Sequence, residues 1–289
     1  MNTSQYEAPA SVDDAVALLA NATGDARVLA GGTDLLVQLR AGMIDPALIV
    51  DIKKISEMTT VTAENGGFRI GAAVTGAELN ENDAVKSAWP GVVEAFDLIG
   101  STQVQGRCSL AGNLCNASPA ADSVPAMIAA DMTCTIAGPK GRREASVGSI
   151  ATGPGKTSLA KGEMIVSFFL PAQNAKGGDA YLRFIPRTEM DIAVVGVGVN
   201  LTLGDDGVCT AARVSLGAVA PTALLVDKAA KALIGTKVDD AAMDNLAAAA
   251  SAACNPIDDK RGTIEFRTKV AGVMARRAAA IALDRARSN

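Results

Sequence analysis

The sequence of 289 residues contains no histidine. This absence excludes several catalytic devices from the chain: the Ser-His-Asp triad, the Cys-His pair and every metal site with an imidazole ligand. If the chain takes part in an enzymatic reaction, a bound cofactor or a partner subunit must therefore carry most of the chemistry.

Cysteine is scarce and scattered. The five cysteines form no Cys-x-x-Cys pair, so the spacing typical of zinc or iron–sulfur ligands is missing. Their odd number argues against a closed disulfide framework. We expect reduced thiols that pack as small hydrophobic side chains, Cys108 and Cys115 among them.

Strong charge and long apolar runs are also lacking. The net charge is −4 and no dense Lys/Arg tract occurs, which argues against a nucleic-acid surface. No apolar run reaches the length of about 18 residues that a membrane span needs. The N-terminus shows no secretion signal, so we expect a cytoplasmic protein. With 49% hydrophobic and 20% charged residues, the composition is that of a globular chain.

Strand-like and helical segments are mixed without the strict alternation of a doubly wound sheet, and no Gly-x-Gly-x-x-Gly stands between a strand and a helix. This pattern predicts an α+β fold rather than a Rossmann fold. Among the expected elements are a helix that begins at Ser11, a buried strand over 26–30 and one helix over most of 84–100.

The segment Asn174–Asp179 is a plausible domain boundary because it is rich in turn-forming residues. Three strands follow it, with a hairpin turn at 205–207, and then Ala-rich helices. The last helix, over 262–286, is expected to face the core with the stripe Val270, Val273, Met274, Ile281 and Ala282.

Two loops of glycine and small polar residues are candidates for a binding site, Ala30–Asp34 and Ser109–Asn116. Each follows an apolar segment and offers backbone N–H groups, which can bind phosphate without Lys or Arg. Two such loops could hold both ends of a pyrophosphate, and hydroxyl groups of a ribose or polyol could bond to Asn113, Asn116, Ser118 and Asp122. Ordinary capped turns, with Asp122 near the start of a helix over 124–130, explain the same residues.

Five segments occur in a fixed order: AGGTDLL, GRCSLAGNLCNASPAAD, GPGKTSLAKGEMIVSFFLP, PRTEMDIAVVGVGV and LGAVAPTALL. Together they resemble the FAD-binding medium subunit of the molybdenum hydroxylases, the family of carbon monoxide dehydrogenase and xanthine dehydrogenase. The resemblance runs from about Tyr6 to Arg277.

The resemblance implies a two-subdomain FAD-binding fold of the vanillyl-alcohol-oxidase type over 1–173, with subdomains of about 1–55 and 56–173. A small C-terminal domain of three antiparallel strands and helices would occupy 178–289.

The resemblance also implies a role for particular residues. The first pyrophosphate loop would be formed by Ala30, Gly31, Gly32, Thr33, Asp34 and Leu35. The second would be formed by Ser109, Leu110, Ala111, Gly112 and Asn113, with Gly100 near the adenine or phosphate end. Asp122 matches an acid of the family that bonds sugar or ribityl hydroxyls, and Met164 and Ile165 match a strand that packs on the cofactor. Arg183 matches a lysine near the flavin, and the segment 191–193 matches one that shields the isoalloxazine.

The chain departs from the family pattern at three positions. Ala111 stands where relatives often have glycine, and Thr33 stands where some have histidine. Ile192 stands where some relatives carry an aromatic residue over the flavin. The smaller cover at Ile192 is compatible with a flavin more open to an external acceptor.

By resemblance, the chain is an electron-transfer subunit. Electrons from a molybdopterin on a large partner would pass through 2Fe-2S clusters on a small partner to FAD on this chain, in a dimer of heterotrimers, and then to an acceptor such as quinone or NAD. The alternatives are a stand-alone flavoprotein oxidoreductase and a non-catalytic flavin-binding protein. Neighbouring reading frames for an iron–sulfur and a molybdopterin subunit would favour the first hypothesis.

Overall fold

Across residues 4–188 and 190–289, which the computed structural model describes, the chain combines one parallel sheet, two larger antiparallel sheets and a small hairpin with flanking helices. The predicted α+β fold is confirmed. Within these residues, none of the helices joins the length to the apolar character that crossing a bilayer requires.

The chain begins with a three-stranded parallel sheet, in the order β1-β3-β2. Its elements are β1 (Gln5–Glu7), α1 (Val12–Asn21), β2 (Ala26–Leu29), α2 (Leu35–Arg40) and β3 (Leu48–Asp51). The predicted start of α1 is confirmed, since the Ser11 side chain accepts a hydrogen bond from the backbone of Asp14. The strand β3 is buried throughout because it is the central strand.

The expectation of a buried strand over 26–30 is wrong. The residues of β2 are intermediate or exposed, and Val28 keeps 36% of its surface accessible. The physical reason is that β2 is an edge strand, and its residues Arg27 and Val28 line a cavity.

A five-stranded antiparallel sheet with short helices follows, in the order β4-β5-β10-β6-β7. Its elements are β4 (Val61–Glu64), β5 (Gly67–Gly71), α3 (Gly76–Asn80), α4 (Asp83–Ala88), α5 (Pro90–Asp97), α6 (Thr102–Gln105), α7 (Leu110–Cys115), α8 (Ser123–Ala129), β6 (Thr133–Gly138), β7 (Gly141–Ser146), the hairpin β8 (Ala151–Gly153) and β9 (Lys156–Thr157), and β10 (Met164–Leu170). Two 3-10 turns lie at Ser56–Met58 and Val147–Ser149.

The helix expected over 84–100 is two helices, because Pro90 cannot continue α4 and instead begins α5. Trp89 at the junction is fully buried, and its indole N–H donates to the carbonyl of Pro171 at 2.8 Å. The break therefore places a large side chain between the helices and the end of β10.

The last part of the chain is a four-stranded antiparallel sheet with helices against it, in the order β11-β12-β13-β14. The three expected strands are present, and the fourth strand, of only two residues, was not predicted. Its elements are β11 (Gly177–Phe184), β12 (Val195–Leu203), β13 (Cys209–Gly217), β14 (Leu224–Leu225), α9 (Asp227–Leu233), α10 (Asp240–Ala252) and α11 (Ile264–Ser288). The predicted hairpin turn is confirmed, with Gly207 at φ +76° between β12 and β13.

The stripe expected on the last helix is partly wrong. Met274 and Ala282 are buried, but 43% of Val273 is exposed, and the buried face of α11 consists mainly of alanines. Small side chains let the helix approach the sheet closely. At Gly178 on β11, for example, a Cβ atom would lie 2.2 Å from the carbonyl oxygen of Ala282.

The buried hydrophobic residues form two clusters. One extends from Val12 to Leu170 and includes Tyr181, and the other extends from Ala180 to Ala286. The helix α8 packs between them: a Cβ at Gly198 of β12 would lie 2.6 Å from the carbonyl of Pro125, and the guanidinium of Arg213 donates twice to the carbonyl of Ile128, at 3.1 and 3.0 Å.

Candidate functional site

A cavity of about 520 Å³ lies between the edge of the parallel sheet, the start of α7 and the segment that leads into β10. This volume falls within the range of about 300–1,000 Å³ that is usual for small-molecule sites. Twelve of the predicted cofactor-binding residues line it: Ala30, Gly31, Gly32, Thr33, Asp34, Leu35, Ser109, Ala111, Gly112, Asn113, Met164 and Ile165. Segments distant in the sequence thus meet around one space.

The first loop, Ala30–Asp34, connects β2 to α2. Gly32 has φ +78°, a left-handed conformation that glycine adopts without strain. A Cβ at Gly31 would lie only 1.7 Å from the carbonyl oxygen of Arg107. The two glycines are therefore required by the turn and by close packing against the chain before α7, and not only by a ligand as the family resemblance implies.

The backbone of the first loop offers free donors to the cavity. Among the described residues, no acceptor takes the N–H groups of the five consecutive residues 31–35. Their carbonyls are partly used, since the N–H of Leu36 bonds to Gly32 and that of Gln38 bonds to Asp34. A row of N–H groups facing a cavity is the arrangement that binds phosphate oxygens.

The second predicted loop is the first turn of a helix. Ser109 is the N-cap residue of α7, and its side chain accepts a hydrogen bond from the N–H of Gly112 at 3.1 Å. Within the described part of the chain, the N–H group of Ala111 has no acceptor. The signal in the sequence was Ser109 followed by helix-compatible residues, which is a typical helix start.

Four of the predicted residues do not line the cavity: Gly100, Leu110, Asp122 and Arg183. Gly100 has φ +68° in the turn before α6, where a Cβ would lie 2.8 Å from the Val104 side chain. The Leu110 side chain is buried in the first hydrophobic cluster. Turn geometry therefore explains the glycine at position 100, and core packing explains Leu110.

Asp122 and Arg183 form an ion pair at 2.8 Å, with 10% and 6% of their side chains exposed. Tyr181 donates to the other carboxylate oxygen at 3.1 Å, and Arg183 also donates to the carbonyl of Leu98 at 2.8 Å. Burial raises the pKa of Asp122 to about 6, although the Arg183 charge and both hydrogen bonds act to lower it. This acid is thus engaged within the protein itself.

Two asparagines expected to bond a sugar are used by neighbouring helices. The amide oxygen of Asn113 accepts from the N–H of Ser123 at 3.2 Å and from its hydroxyl at 2.7 Å. The amide oxygen of Asn116 accepts from Gln38 at 3.2 Å. These bonds join α7 to α8 and to α2, and so fix the two loops relative to each other.

The segment 191–193 does not line the cavity. Asp191 accepts from Arg261 at 3.0 Å and from Arg187 at 3.1 Å. The Arg261 hydrogen bond is the main reason why the pKa of Asp191 is lowered to about 2. Next to this anchored carboxylate, 51% of Ile192 is exposed, whereas Ala193 is buried.

Several cavity residues were not predicted from the sequence. They come from the region around β2 and from the segment before β10, and they include Asp25, Arg27, Leu159, Lys161 and Glu163. The adjacency of 157–163 to Met164 was the available signal for part of this set. For the β2 residues there was no signal, because an apolar strand does not reveal that it lies at a sheet edge.

The residues at the cavity fit the diphosphate of FAD. The unbonded N–H donors of the first loop and of Ala111 belong to residues that line the same space, and Gly31, Gly32 and Gly112 leave room for a ligand beside them. The apolar residues Ile52, Met164 and Ile165 add a hydrophobic wall. An elongated ligand with a central anion and apolar rings matches both features.

Comparison with known proteins gives matches over nearly the whole chain. Residues 2–173 match the family described as the FAD binding domain in molybdopterin dehydrogenase, and residues 180–282 match the CO dehydrogenase flavoprotein C-terminal domain. The chain is 33% identical to the carbon monoxide dehydrogenase medium chain of Afipia carboxidovorans, covering 98% of both chains. It is 30% identical to the xanthine dehydrogenase FAD-binding subunit of Escherichia coli, covering 94% of this chain and 93% of that one.

Solved structures show the same fold over nearly the whole chain. A chain of the carbon monoxide dehydrogenase from Oligotropha carboxidovorans superposes with a TM-score of 0.93 at 33% identity, covering 98% of each chain. A chain of quinoline 2-oxidoreductase from Pseudomonas putida gives a TM-score of 0.91 at 27% identity, with the same coverage.

Proposed function

Because this chain belongs to the family of FAD-binding medium subunits of molybdenum-dependent dehydrogenases, we propose that it is the electron-transfer subunit of such a complex. It would accept electrons delivered by the 2Fe-2S clusters of a small partner subunit and pass them to an external acceptor. The single observation that carries the proposal is the meeting, at one cavity, of the unbonded N–H groups of residues 31–35 with the unbonded N–H group of Ala111.

The chain's own residues would hold FAD as follows. The N–H groups of the first loop and of the first turn of α7 would bind the pyrophosphate oxygens from two sides. Met164 and Ile165 would supply an apolar wall for a ring system. The chemistry that bound FAD supplies is the exchange of electrons between one-electron and two-electron partners. Asp122, Arg183 and 191–193 would lie toward the flavin end, as the family resemblance implies.

The partners and the division of the chain are part of the proposal. A small iron–sulfur subunit and a large molybdopterin subunit would complete the complex, as a dimer of heterotrimers. The FAD-binding domain would comprise 1–173, and the C-terminal domain 178–289. The two separate hydrophobic clusters and the separate family matches to 2–173 and 180–282 support that division.

The first test is the identity of the cofactor. We expect the purified full-length chain to carry FAD that acid denaturation releases into the supernatant, since the chain has no histidine for a histidyl–flavin bond. Chromatography of the supernatant distinguishes FAD from FMN. Flavin retained in the pellet would contradict non-covalent binding, and FMN would contradict a pyrophosphate site.

A matched pair of variants at Ser109 tests the site itself. Aspartate is as good an N-cap as serine, so Ser109→Asp should preserve α7 but place a negative charge beside the pyrophosphate and weaken FAD binding strongly. Ser109→Ala removes the cap, costing about 1 kcal/mol of stability, but adds no charge. If Ser109→Asp bound FAD like the parent, the start of α7 would not face the diphosphate.

The subunit role is tested in the complex. The isolated chain should not hydroxylate substrate, whereas the complex purified from its native host should contain flavin, iron and molybdenum. Substrate turnover by the chain alone would overturn the subunit assignment and favour a complete flavoprotein oxidoreductase.

A further inference from the structure

The peptide between Ala30 and Gly31 is held by a network of hydrogen bonds from three residues that do not line the cavity. The Lys53 ammonium donates to the carbonyl oxygen of Ala30 at 3.0 Å and to the Asp51 carboxylate at 2.7 Å. The Tyr6 hydroxyl donates to the second oxygen of Asp51 at 2.6 Å. The network therefore links β1, the end of β3 and the first loop.

The topology of the parallel sheet brings these residues together. Parallel strands β2 and β3 end at the same edge, with Leu29 paired to Asp51. Ala30 follows the first of these strands, and Lys53 comes two residues after the second. Tyr6 reaches Asp51 from the neighbouring strand β1. The network thus joins β1, the residue after β2 and the end of β3.

The members of the network fix one another. The Asp51 carboxylate is 10% exposed and also accepts from the backbone N–H of Lys53 at 3.0 Å. Burial acts to raise the pKa of Asp51, but the hydrogen bonds from Lys53 and Tyr6 outweigh it, and the pKa is lowered. The carboxylate is therefore charged at neutral pH and holds the ammonium in place.

This arrangement determines where the N–H of Gly31 points. In a planar trans peptide, the C=O and N–H groups point in opposite directions. Since the carbonyl of Ala30 points toward the Lys53 ammonium, the N–H of Gly31 points to the opposite side of the peptide, away from Lys53. Ala30 and Gly31 line the cavity, and Lys53 does not.

We propose that Lys53 is a positioning residue: with Asp51 and Tyr6, it orients the Ala30–Gly31 peptide so that the Gly31 N–H is presented to a diphosphate. The inference rests on the proposed function, since it concerns the same site. A peptide free to rotate would present its carbonyl oxygen to the anion in part of the population, and binding would lose the benefit of preorganisation.

The experiment measures the binding of FAD and of ADP to the full-length apo chain by calorimetry. Lys53→Met should weaken both ligands about tenfold, the effect expected when one charge-assisted hydrogen bond is lost. Lys53→Arg should largely restore binding, because a guanidinium can still donate to the Ala30 carbonyl. The matched control Lys54→Met removes an exposed ammonium one residue away and should leave both affinities unchanged.

A further variant separates orientation from direct attraction. Asp51→Asn keeps the Lys53 charge and removes a negative charge, so direct attraction between the ammonium and the diphosphate predicts unchanged or tighter binding. Orientation by the network predicts weaker binding of FAD and ADP. The thermal unfolding midpoint of each apo variant is measured as well, so that a loss of affinity caused by unfolding of the whole chain is recognised by a lowered midpoint.

The outcomes are distinct. Parental affinities in Lys53→Met, or unchanged or tighter binding in Asp51→Asn, would overturn the positioning role. If Lys53→Met does not fold, Asp51→Asn and Tyr6→Phe decide the question in the same way, with weaker binding expected from both. Failure of the parent chain to bind FAD would instead reject the proposed function.

Discussion

The Arg183 guanidinium donates to the Asp122 carboxylate at 2.8 Å across the junction between the two hydrophobic clusters. Asp122 precedes α8, Arg183 lies on β11, and Tyr181 bonds to the same carboxylate. Removing either partner of this buried charged pair would leave the other charge buried without compensation. The ion pair between Asp122 and Arg183 therefore links the two parts of the chain that contain the two hydrophobic clusters.

We predict that Asp122→Ala destabilises the chain by about 3–5 kcal/mol, because it leaves the Arg183 charge buried without a counter-ion. The free energy of unfolding in urea measures the effect. The matched control is Asp205→Ala, which breaks the exposed Lys176–Asp205 pair of 2.7 Å and should cost no more than about 1 kcal/mol. Equal costs would show that the buried pair does not stabilise the junction.

Gly31→Ala should disrupt the contact between the first loop and the chain before α7. The added methyl would lie 1.7 Å from the Arg107 carbonyl oxygen, so the backbone must shift, at a cost of about 1–3 kcal/mol, and FAD should be lost. In Gly106→Ala the methyl meets nothing within 4 Å, and the stability should change by less than about 1 kcal/mol. Flavin content and urea unfolding of the two variants check this; full flavin content in Gly31→Ala would contradict the packing argument.

The sequence predicted the fold class, the helix start at Ser11 and the location of two backbone loops, because each depends on local chemistry. Gly31 and Gly32 indicated a special backbone, and Ser109 indicated a helix start. The resemblance supplied the residues that would form one site, and twelve of them line one cavity.

The remaining features depend on contacts between distant segments. The role of Lys53 requires that β2 and β3 be parallel neighbours, which no local pattern shows. Likewise, Asn113 could hydrogen-bond a sugar, but its amide oxygen accepts a hydrogen bond from the Ser123 hydroxyl of the next helix. Pro90 indicates a break in the helix expected over 84–100, but apolar residues continue on both sides of it and favour a single helix.

Asp179 gives a prediction about pH. This carboxylate of β11 is buried, and one oxygen accepts from the N–H of Val92 at 3.0 Å. Its other oxygen has no hydrogen-bond partner among the described residues. Burial raises the pKa of Asp179 to about 7, although hydrogen bonds from Gly91 and Val92 and the charge of Arg285 act to lower it.

Because the folded pKa lies above the unfolded one, the folded state holds this proton more tightly. The contribution to stability is therefore largest in acid and is lost as pH rises toward 7. Asp179→Asn removes the dependence, so its stability relative to the parent should increase between pH 5 and pH 8 by up to about 3 kcal/mol. Urea unfolding at the two pH values measures it. A pH-independent difference would show that Asp179 does not titrate in this range.

The segment before β12 gives a prediction about electron transfer. Arg187 and Arg261 bond the Asp191 carboxylate from two sides, so the backbone beside Ile192 is anchored while the Ile192 side chain is exposed. If this segment covers the flavin on the side of the external acceptor, a larger side chain at 192 should obstruct that side only.

Ile192→Tyr should therefore slow the reoxidation of the reduced complex by its acceptor several-fold and leave reduction of the flavin by substrate, through the clusters, nearly unchanged. Stopped-flow spectroscopy of the assembled complex measures the two half-reactions separately. Ile234→Tyr, which enlarges another exposed isoleucine at the end of α9, should alter neither. A side chain on the acceptor side alone cannot affect electrons that arrive from the iron–sulfur partner, so equal slowing of both half-reactions would show that Ile192 does not control access of the acceptor. No change in either half-reaction would show the same.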